Sequence, residues 1–339
     1  MSKKIVHLIV LDKFIPDYID FIQKNFNKTE HLYIITANEK GFVLEPRENI
    51  IFLNYKNKLK KYTWLIFTIT QTLYKAEKII IHGLWDIGII YYLFFNPLLL
   101  KKCYWVMWGG DFYFPEAQYF VKKSVIKRLG HFVTYIKGDY DLVKKWYGAT
   151  GQYYECFMYP SNLYKEYDIK IKVKDNLNIQ VGNSADPSNN HLEVFKQLIK
   201  FKDQNIKIYA PLSYGNSEYA QQIVSLGNSM FGDKFIAMTD FMAFDKYLDF
   251  LEDIDIAIFN HNRQQAMGNT ITLLGLGKKV YMRNDVTSWK TFEELGIQVF
   301  DVENIEISKL EKEIKNNNMQ KVKELFSESQ LKHQWIKVF

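Results

Sequence analysis

NHNRQQAMGNTITLLGLGKKVYM, residues 260–282, is the stretch that decides the fold of this chain. Its pattern predicts the end of a strand, a polar loop, a helix over Thr270–Leu276 and a second strand over Lys278–Met282. Small residues before the helix suit a tight turn, and Gly277 suits the turn after it. A strand, a loop, a helix and a strand in this order form the repeating unit of a parallel α/β sheet.

A helix that opens at Gly268, Asn269 and Thr270 presents unpaired N–H groups and about half a positive charge, which favour an anion. Arg263, in the preceding loop, is placed to add a forked contact to the same anion, and Gln264 lies beside it. The simplest hypothesis is a cradle for a nucleotide-sugar diphosphate. The alternative is an ordinary strand–loop–helix connection with a solvated arginine, because short glycine motifs often match by chance.

Apolar, β-branched runs alternate with helical patterns from end to end of the 339-residue chain. Near-continuous apolar strands in such an alternation are typical of parallel sheets that are covered on both faces, so the fold class is α/β. The predicted strands are Ile5–Leu11, His31–Ala37, Ile50–Asn54, Lys78–His82, Cys103–Trp108, His131–Ile136, Gln152–Met158, Leu177–Val181, Ile206–Leu212, Phe235–Met238, Ile254–Phe259, Lys278–Met282 and Gln298–Asp301.

The length of the chain favours two domains. The polar passage Tyr159–Asn176 interrupts the alternation and is the predicted linker. We place the first domain at residues 1–162 and the second at 175–317, and we expect a final helix at about 318–339 to pack back on the first.

Doubly wound sheets bind ligands outside the carboxyl ends of their strands, so the predicted architecture is two Rossmann-like domains facing across a cleft. This is the layout of the GT-B glycosyltransferases, in which the second domain holds the nucleotide-sugar donor and the first holds the acceptor. For the second domain, the loops after successive strands supply the candidate donor-binding residues. They are Gly182, Asn183 and Ser184, then Ser213 and Tyr214, then Arg263, Gln264, Gly268, Asn269 and Thr270.

Two loops of the first domain follow strands and carry the candidate acceptor-binding residues. They are His82, Trp85 and Asp86 in one loop, and Trp108 and Gly110 in the other. Glycosyl transfer with inversion needs a base for the acceptor hydroxyl, and we predict Asp111 as that base because the two preceding glycines leave it an open approach. The alternatives are that Asp111 caps the following helix and that His82 is a satisfied core histidine.

The charge of the chain is uneven. Residues 1–170 carry 24 basic and 16 acidic residues, a formal charge of +8, whereas residues 171–339 carry 20 and 22, a charge of −2. In the basic half, lysines alternate with aromatic residues, as at Lys101, Lys102, Tyr104 and Trp105. Such surfaces suit an anionic membrane face, and less well a nucleic acid, for which no zinc-finger or RNA-binding motif is present. A merely solvated surface is the third possibility.

Cysteine content and apolar runs indicate the compartment. Two cysteines, Cys103 and Cys156, are consistent with a reducing compartment. The N-terminal apolar run is too short for a signal peptide, and Ile87–Leu100 is too short to span a bilayer, which takes about 20 residues. We therefore expect a cytoplasmic protein that rests on a membrane without crossing it.

Metal-binding patterns are weak. Asp139–Asp141 and Asp253–Asp255 are D-x-D sequences, but the first fits a helix cap and the second a helix end. No His, Cys and carboxylate cluster has metal-ligand spacing, and no phosphate-binding lysine loop follows a strand. We expect neither a bound metal nor a cofactor.

Four motifs together resemble one family. They are WGGDFY at 108–113, VGNSADPSNNH at 181–191, YAPLSYGNSEYA at 209–220 and RQQAMGNTITLLGLGKKVYMR at 263–283. The chain is identified by them as similar to glycosyltransferase family 56, whose members transfer 4-acetamido-4,6-dideoxygalactose (N-acetylfucosamine) from a dTDP donor to the undecaprenyl-linked intermediate of enterobacterial common antigen. The resemblance implies a GT-B fold, a metal-independent reaction and a peripheral position on the inner face of the cytoplasmic membrane.

The resemblance also bears on the nucleotide. Many GT-B enzymes carry an acidic residue that binds the ribose hydroxyls, and alignment of GLGKKV with their segment puts Thr272 at that position. Deoxyribose lacks the 2′-hydroxyl, so loss of the acid fits a dTDP-sugar. The rival hypotheses are a GT-B transferase that uses a UDP- or GDP-sugar for capsule or lipo-oligosaccharide, a non-catalytic nucleotide-sugar-binding protein, and an α/β epimerase.

Overall fold

The computed structural model describes residues 4–38, 41–53, 69–165, 175–242 and 244–339. The chain divides into two compact units. The N-terminal unit comprises Met1–Ser161 with Glu328–Phe339, and the C-terminal unit comprises Asn162–Ser327. Which unit binds donor and which binds acceptor stays a prediction.

The sheet of the N-terminal unit has seven parallel strands in the order β3-β2-β1-β4-β5-β6-β7. The strands are β1 (Ile5–Val10), β2 (His31–Ala37), β3 (Ile50–Phe52), β4 (Lys78–His82), β5 (Cys103–Val106), β6 (His131–Val133) and β7 (Gln152–Tyr154). The described helices of this unit are α1 (Ile15–Asn25), α2 (Thr70–Lys75), α3 (Ile87–Phe95), α4 (Pro97–Leu100), α5 (Phe120–Arg128), α6 (Lys137–Tyr147) and, at the end of the chain, α13 (Glu328–Val338). The strand order reverses between β1 and β4, which makes their carboxyl ends the expected ligand position.

The sheet of the C-terminal unit has six parallel strands in the order β10-β9-β8-β11-β12-β13. The strands are β8 (Leu177–Val181), β9 (Ile206–Pro211), β10 (Phe235–Met238), β11 (Ile256–Phe259), β12 (Lys279–Met282) and β13 (Phe300–Asp301). The helices are α7 (His191–Leu198), α8 (Ser217–Phe231), α9 (Phe244–Asp253), α10 (Met267–Gly275), α11 (Thr287–Glu294) and α12 (Lys312–Leu325). Here the order reverses between β8 and β11.

Each unit has its own apolar core because its sheet is covered by helices on both faces. Trp105 of β5 and Phe132 of β6 are completely buried in the first core. Helix α13 is fixed to the same unit by Trp335, which is buried and donates its indole N–H to the carbonyl of Met158 at 3.0 Å. Within the described residues, none of the helices combines the length and the apolar character needed to cross a bilayer.

The predicted α/β class, with doubly wound parallel sheets, is confirmed, and each of the thirteen predicted strands is present. Several strands end earlier than predicted. For example, β5 stops at Val106 because the chain turns at Gly109, whose φ is +82°. The short helix α4 was not predicted. A predicted helix over Lys58–Ala76 is present at Thr70–Lys75, while 54–68 lies outside the described residues, as does 166–174 of the predicted linker.

Candidate functional site

In the C-terminal unit, the loops after β8 and β11 lie side by side where the strand order reverses. Gln265 of the second loop accepts a hydrogen bond from the Ser188 hydroxyl at 2.9 Å, and its amide nitrogen lies 3.5 Å from Oδ1 of Asn183. The first loop leaves the strand at Gly182, whose φ of +66° is in the left-handed region. The structure therefore brings together two of the loops that were predicted to hold the donor.

The loop after β9 joins the same cluster. The N–H of Ala185 donates to the carbonyl of Tyr214 at 2.8 Å, and the amide of Asn183 donates to the Tyr214 hydroxyl at 2.8 Å. Ser213 is half-buried in this loop. Tyr214 is 49% exposed, which suits a ring that stacks on a base.

Helix α10 begins at Met267, three residues before the predicted start, with Ala266 in the left-handed conformation at its N-cap and no side-chain cap. Gly268 and Asn269 occupy its second and third positions, where N–H groups have no intrahelical acceptor. The prediction for Thr270 is corrected. Its N–H and its hydroxyl both donate to the carbonyl of Ala266, at 2.9 and 3.1 Å, so its N–H is already used by the helix.

Arg263 supplies positive charge beside this helix start. Its side chain is half-buried, like that of Gln264, and its guanidinium donates to the Gln264 carbonyl at 3.0 Å. The pKa of Asp186 is lowered: burial raises it, but hydrogen bonds from Ser188 and the charge of Arg263 lower it by more. Unpaired N–H groups and a guanidinium in one loop cluster form an arrangement that attracts an anion.

Asn189 supports the cluster and was not predicted beyond a possible cap. It is completely buried, and its Oδ1 accepts from the N–H of Asn183 and lies 2.9 Å from Nε2 of His261. Its amide nitrogen donates to the Ser184 hydroxyl at 3.2 Å. The only signal in the sequence is an uncharged amide after an apolar strand, and its pairing with His261, 72 positions away, has no local signature.

In the N-terminal unit, a pocket of about 230 Å³ opens at the carboxyl ends of β1 and β4. Trp85 and Asp86, both predicted for the acceptor side, line it together with Thr36. Trp85 is 42% exposed. Asp86 also has a structural role, because its Oδ1 accepts the N–H groups of Gly88 and Ile89 at 2.8 and 3.2 Å and so caps α3.

The prediction that His82 lines the acceptor side is corrected. The ring is 1% exposed, its Nδ1 lies 2.8 Å from the Tyr159 hydroxyl and its Nε2 lies 3.2 Å from Nδ1 of His7. Burial lowers the pKa of His82 to about 3, so the ring is neutral. Both nitrogens are engaged in the core, and this was the alternative weighed for it.

Trp108 contacts the same hydrogen-bond chain. Its indole N–H donates to the Tyr159 hydroxyl at 3.0 Å, and the chain continues through His82 and His7 to His31. Trp108 is half-buried, whereas Gly110 beside it is exposed. The chain therefore holds one edge of the Trp108 ring while the loop that follows remains open to solvent.

A comparison with protein families decides the class of enzyme. The model described as 4-alpha-L-fucosyltransferase, glycosyl transferase group 56, matches residues 7–339. The chain belongs to this glycosyltransferase family.

Solved structures agree with the fold of the transferase. It is similar to the Anabaena protein HepE in complex with UDP and glucose, at 12% identity and a TM-score of 0.66 over 98% of each chain. A glycosyltransferase from Rickettsia africae is 15% identical with a TM-score of 0.66, over 98% of this chain and 97% of that one. The trehalose 6-phosphate synthase of Burkholderia multivorans is 7% identical with a TM-score of 0.61, over 99% and 96%. The predicted GT-B fold is confirmed.

The predicted open approach to Asp111 of the transferase is wrong in this structure. The side chain is completely buried, Oδ2 accepts from the N–H of Leu84 and the indole of Trp105 at 3.0 and 2.8 Å, and Oδ1 accepts from the N–H of Trp108 at 3.0 Å. Burial raises the pKa of Asp111, against the opposing effect of these hydrogen bonds and of Lys122. The carboxylate ties together the loops after β4 and β5, and its role as base stays a prediction.

Metal ligands were also sought in the transferase. Across the residues that the structure describes, no group of three or more His, Cys, Asp or Glu side chains is placed to hold a metal ion. Metal independence stays an expectation from the sequence.

Gly182→Ala is expected to lower the free energy of unfolding of the C-terminal unit by about 2–5 kcal/mol, from a left-handed backbone and an overpacked site. A Cβ at Gly182 would lie 2.6 Å from Nε2 of His191 and 2.7 Å from Oδ1 of Asn189. Gly232→Ala is the matched control, because Gly232 has φ +55° but no atom within 4 Å of the added Cβ. Urea unfolding of both variants measures the difference, and equal losses would show that the contacts at Gly182 carry no cost.

Proposed function

We propose that the transferase moves an N-acetylfucosamine-like amino-deoxy sugar from a dTDP-sugar to a polyprenyl-diphosphate-linked saccharide, at the cytoplasmic face of the membrane, in cell-surface polysaccharide synthesis. Membership of group 56 supports the transfer of a fucose-type sugar. The observation that carries the donor side is the loop cluster at the β8–β11 switch point, where the uncapped start of α10 and Arg263 come together.

The cluster divides the donor between its loops. The N–H groups of Gly268 and Asn269 and the guanidinium of Arg263 would hold the diphosphate, because helix N-termini and forked cations favour phosphate oxygens. Asn183 and Ser184 would border it from the first loop, and Tyr214 would contact the base. Thr272 supports deoxyribose, since its hydroxyl donates to the Gly268 carbonyl at 2.8 Å and it carries no charge for a 2′-hydroxyl.

Acceptor binding is proposed for the N-terminal unit, where the pocket beside Trp85 and Asp86 offers an exposed ring and a carboxylate. Exposed aromatic rings suit the apolar face of a sugar, and a carboxylate suits its hydroxyl groups. In this proposal the acceptor hydroxyl attacks the anomeric carbon of the donor, the bond to the diphosphate breaks, and dTDP leaves with the negative charge.

Calorimetric titration with dTDP, UDP and GDP, first without metal and then with Mg²⁺, tests the donor. We expect selective binding of dTDP that does not require the metal. Preference for UDP or GDP would keep the fold and the family but assign the donor of a capsule or lipo-oligosaccharide transferase. Absence of binding by all three would reject the diphosphate cradle.

Arg263→Ala is expected to weaken dTDP binding about 10- to 100-fold, the usual range for loss of a hydrogen bond to a charged group. Arg283→Ala is the matched control, because the Arg283 guanidinium is already held by both oxygens of Asp285, at 2.9 and 2.7 Å. Titration of dTDP into each variant gives the two affinities. Equal affinity of Arg263→Ala and the unmodified protein would count against the cradle.

A further inference from the structure

One face of the N-terminal unit exposes large apolar side chains along helix α3. Ile87, Tyr91 and Phe95 are 60%, 42% and 72% exposed, and they follow one another at intervals of four residues. That spacing places them in one stripe along the helix. Leu98 of α4, 68% exposed, continues the stripe past its carboxyl end.

Helix α5 widens the stripe into a patch. Phe120, 74% exposed, lies with its ring centroid 6.2 Å from that of Phe94, and Tyr119 stacks on Tyr91 at 6.1 Å. We call the surface formed by Ile87, Tyr91, Phe95, Leu98 and Phe120 the aromatic patch. Contiguous apolar surfaces of this kind mark interaction sites, because soluble monomers keep only small ones exposed.

Positive charge surrounds the aromatic patch. The Arg128 guanidinium lies 5.2 Å from the centroid of Phe94, and Lys122 lies 5.8 Å from that of Trp85. Lys123, half-buried, and Lys127, exposed, stand on the same helix as Phe120. The sequence from 87 to 110 contains no Asp or Glu, and neither does that from 119 to 138. A protein partner would instead favour a patch whose surroundings are depleted in lysine.

We infer that the aromatic patch docks the enzyme on an anionic phospholipid bilayer, with its apolar side chains in the interface and its lysines and arginine on the headgroups. Amphipathic helices bind in this way through apolar burial together with attraction to anionic lipid. The inference deepens the proposed function, on which it rests for a lipid-linked acceptor. It also fits the position of the pocket, because Asp86, which lines the pocket, caps the helix that carries the stripe.

Flotation of the full chain with vesicles tests the inference. We expect binding to phosphatidylcholine vesicles that contain phosphatidylglycerol, and much weaker binding to phosphatidylcholine alone. The double variant Phe95→Ser, Phe120→Ser should lower the partition coefficient at least about tenfold, because two exposed rings no longer insert. Lys123→Glu and Lys127→Glu should each lower it about fivefold or more on anionic vesicles only.

Phe241→Ser is the matched control, because Phe241 is 84% exposed but belongs to the C-terminal unit. It should bind vesicles as the unmodified protein does. Equal vesicle binding by the double variant and the control would overturn the inference, as would a concentration-dependent dimer that only the double variant loses. Titration with dTDP in the absence of vesicles separates the two proposals: intact nucleotide binding with no vesicle binding rejects the patch alone, and the reverse rejects the proposed donor alone.

Discussion

Lowering the pH from 7 to 5 is expected to remove about 4 kcal/mol from the free energy of unfolding of the C-terminal unit. The cause is two buried histidines. Burial lowers the pKa of His191 to about 4 and that of His261 to about 3. In the unfolded chain both titrate near 6.5, so below that pH the unfolded state binds protons that the folded state excludes, at about 2 kcal/mol per histidine at pH 5.

The sign and the window follow from the direction of the shifts. The stabilisation is fully present above pH 6.5 and is lost as the pH falls from 6.5 towards 3–4. In the N-terminal unit, burial also lowers the pKa of His7 and His82, but the raised pKa of Asp111 acts in the opposite direction. That unit should therefore lose less. A domain has about 5–15 kcal/mol in total, so the expected loss is a large part of it.

Urea unfolding at pH 7 and pH 5, followed by hydrogen exchange of peptides from each unit, measures the effect. His261→Gln should be less stable at pH 7, and its stability should fall less steeply with acidification because one excluded proton is gone. His333→Gln, at an exposed position, should keep the pH dependence of the unmodified protein. The explanation fails if the midpoint of the C-terminal unit is the same at both pH values.

The strands and the donor loops were predictable from the sequence because both depend on local pattern. A strand that is buried on both faces is a continuous apolar run, as Ile79–Ile81 is, and it ends where polar and small residues begin. In a parallel sheet, the loops after neighbouring strands meet at one edge, so Asn183 and Gln265 were expected near each other once the two strands were placed.

Burial of individual polar residues was not predictable in the same way. His82 and Asp111 each follow a strand and look open in the sequence, but their partners lie far away along the chain. His82 reaches Tyr159 across 77 positions, and Asp111 reaches Leu84 across 27. Only the packed fold shows that these side chains are already satisfied. The start of α10 was misplaced for a related reason, since Ala266 adopts a left-handed conformation that its type does not favour.

Asp111→Asn is expected to lower the free energy of unfolding by about 1–3 kcal/mol, the cost of a buried donor left without its acceptor. Both oxygens of Asp111 accept from N–H donors that cannot themselves accept: the N–H groups of Leu84 and Trp108 and the indole of Trp105. Asparagine has one oxygen, so its amide nitrogen must face one of these donors. The loops after β4 and β5 then lose a tie, and transfer should be abolished while dTDP binding stays near normal.

Asp86→Asn is the matched control in the same unit. Its cap uses one oxygen for two N–H groups, which asparagine can reproduce, so its stability should change little. Chemical unfolding, turnover and dTDP affinity, measured on both variants, separate the two roles of Asp111. Lost transfer with unchanged stability would restore Asp111 as the base and imply that its loop opens during the reaction. Lost transfer with the expected destabilisation would make it the residue that shapes the acceptor side, and retained turnover would remove it from the base role altogether.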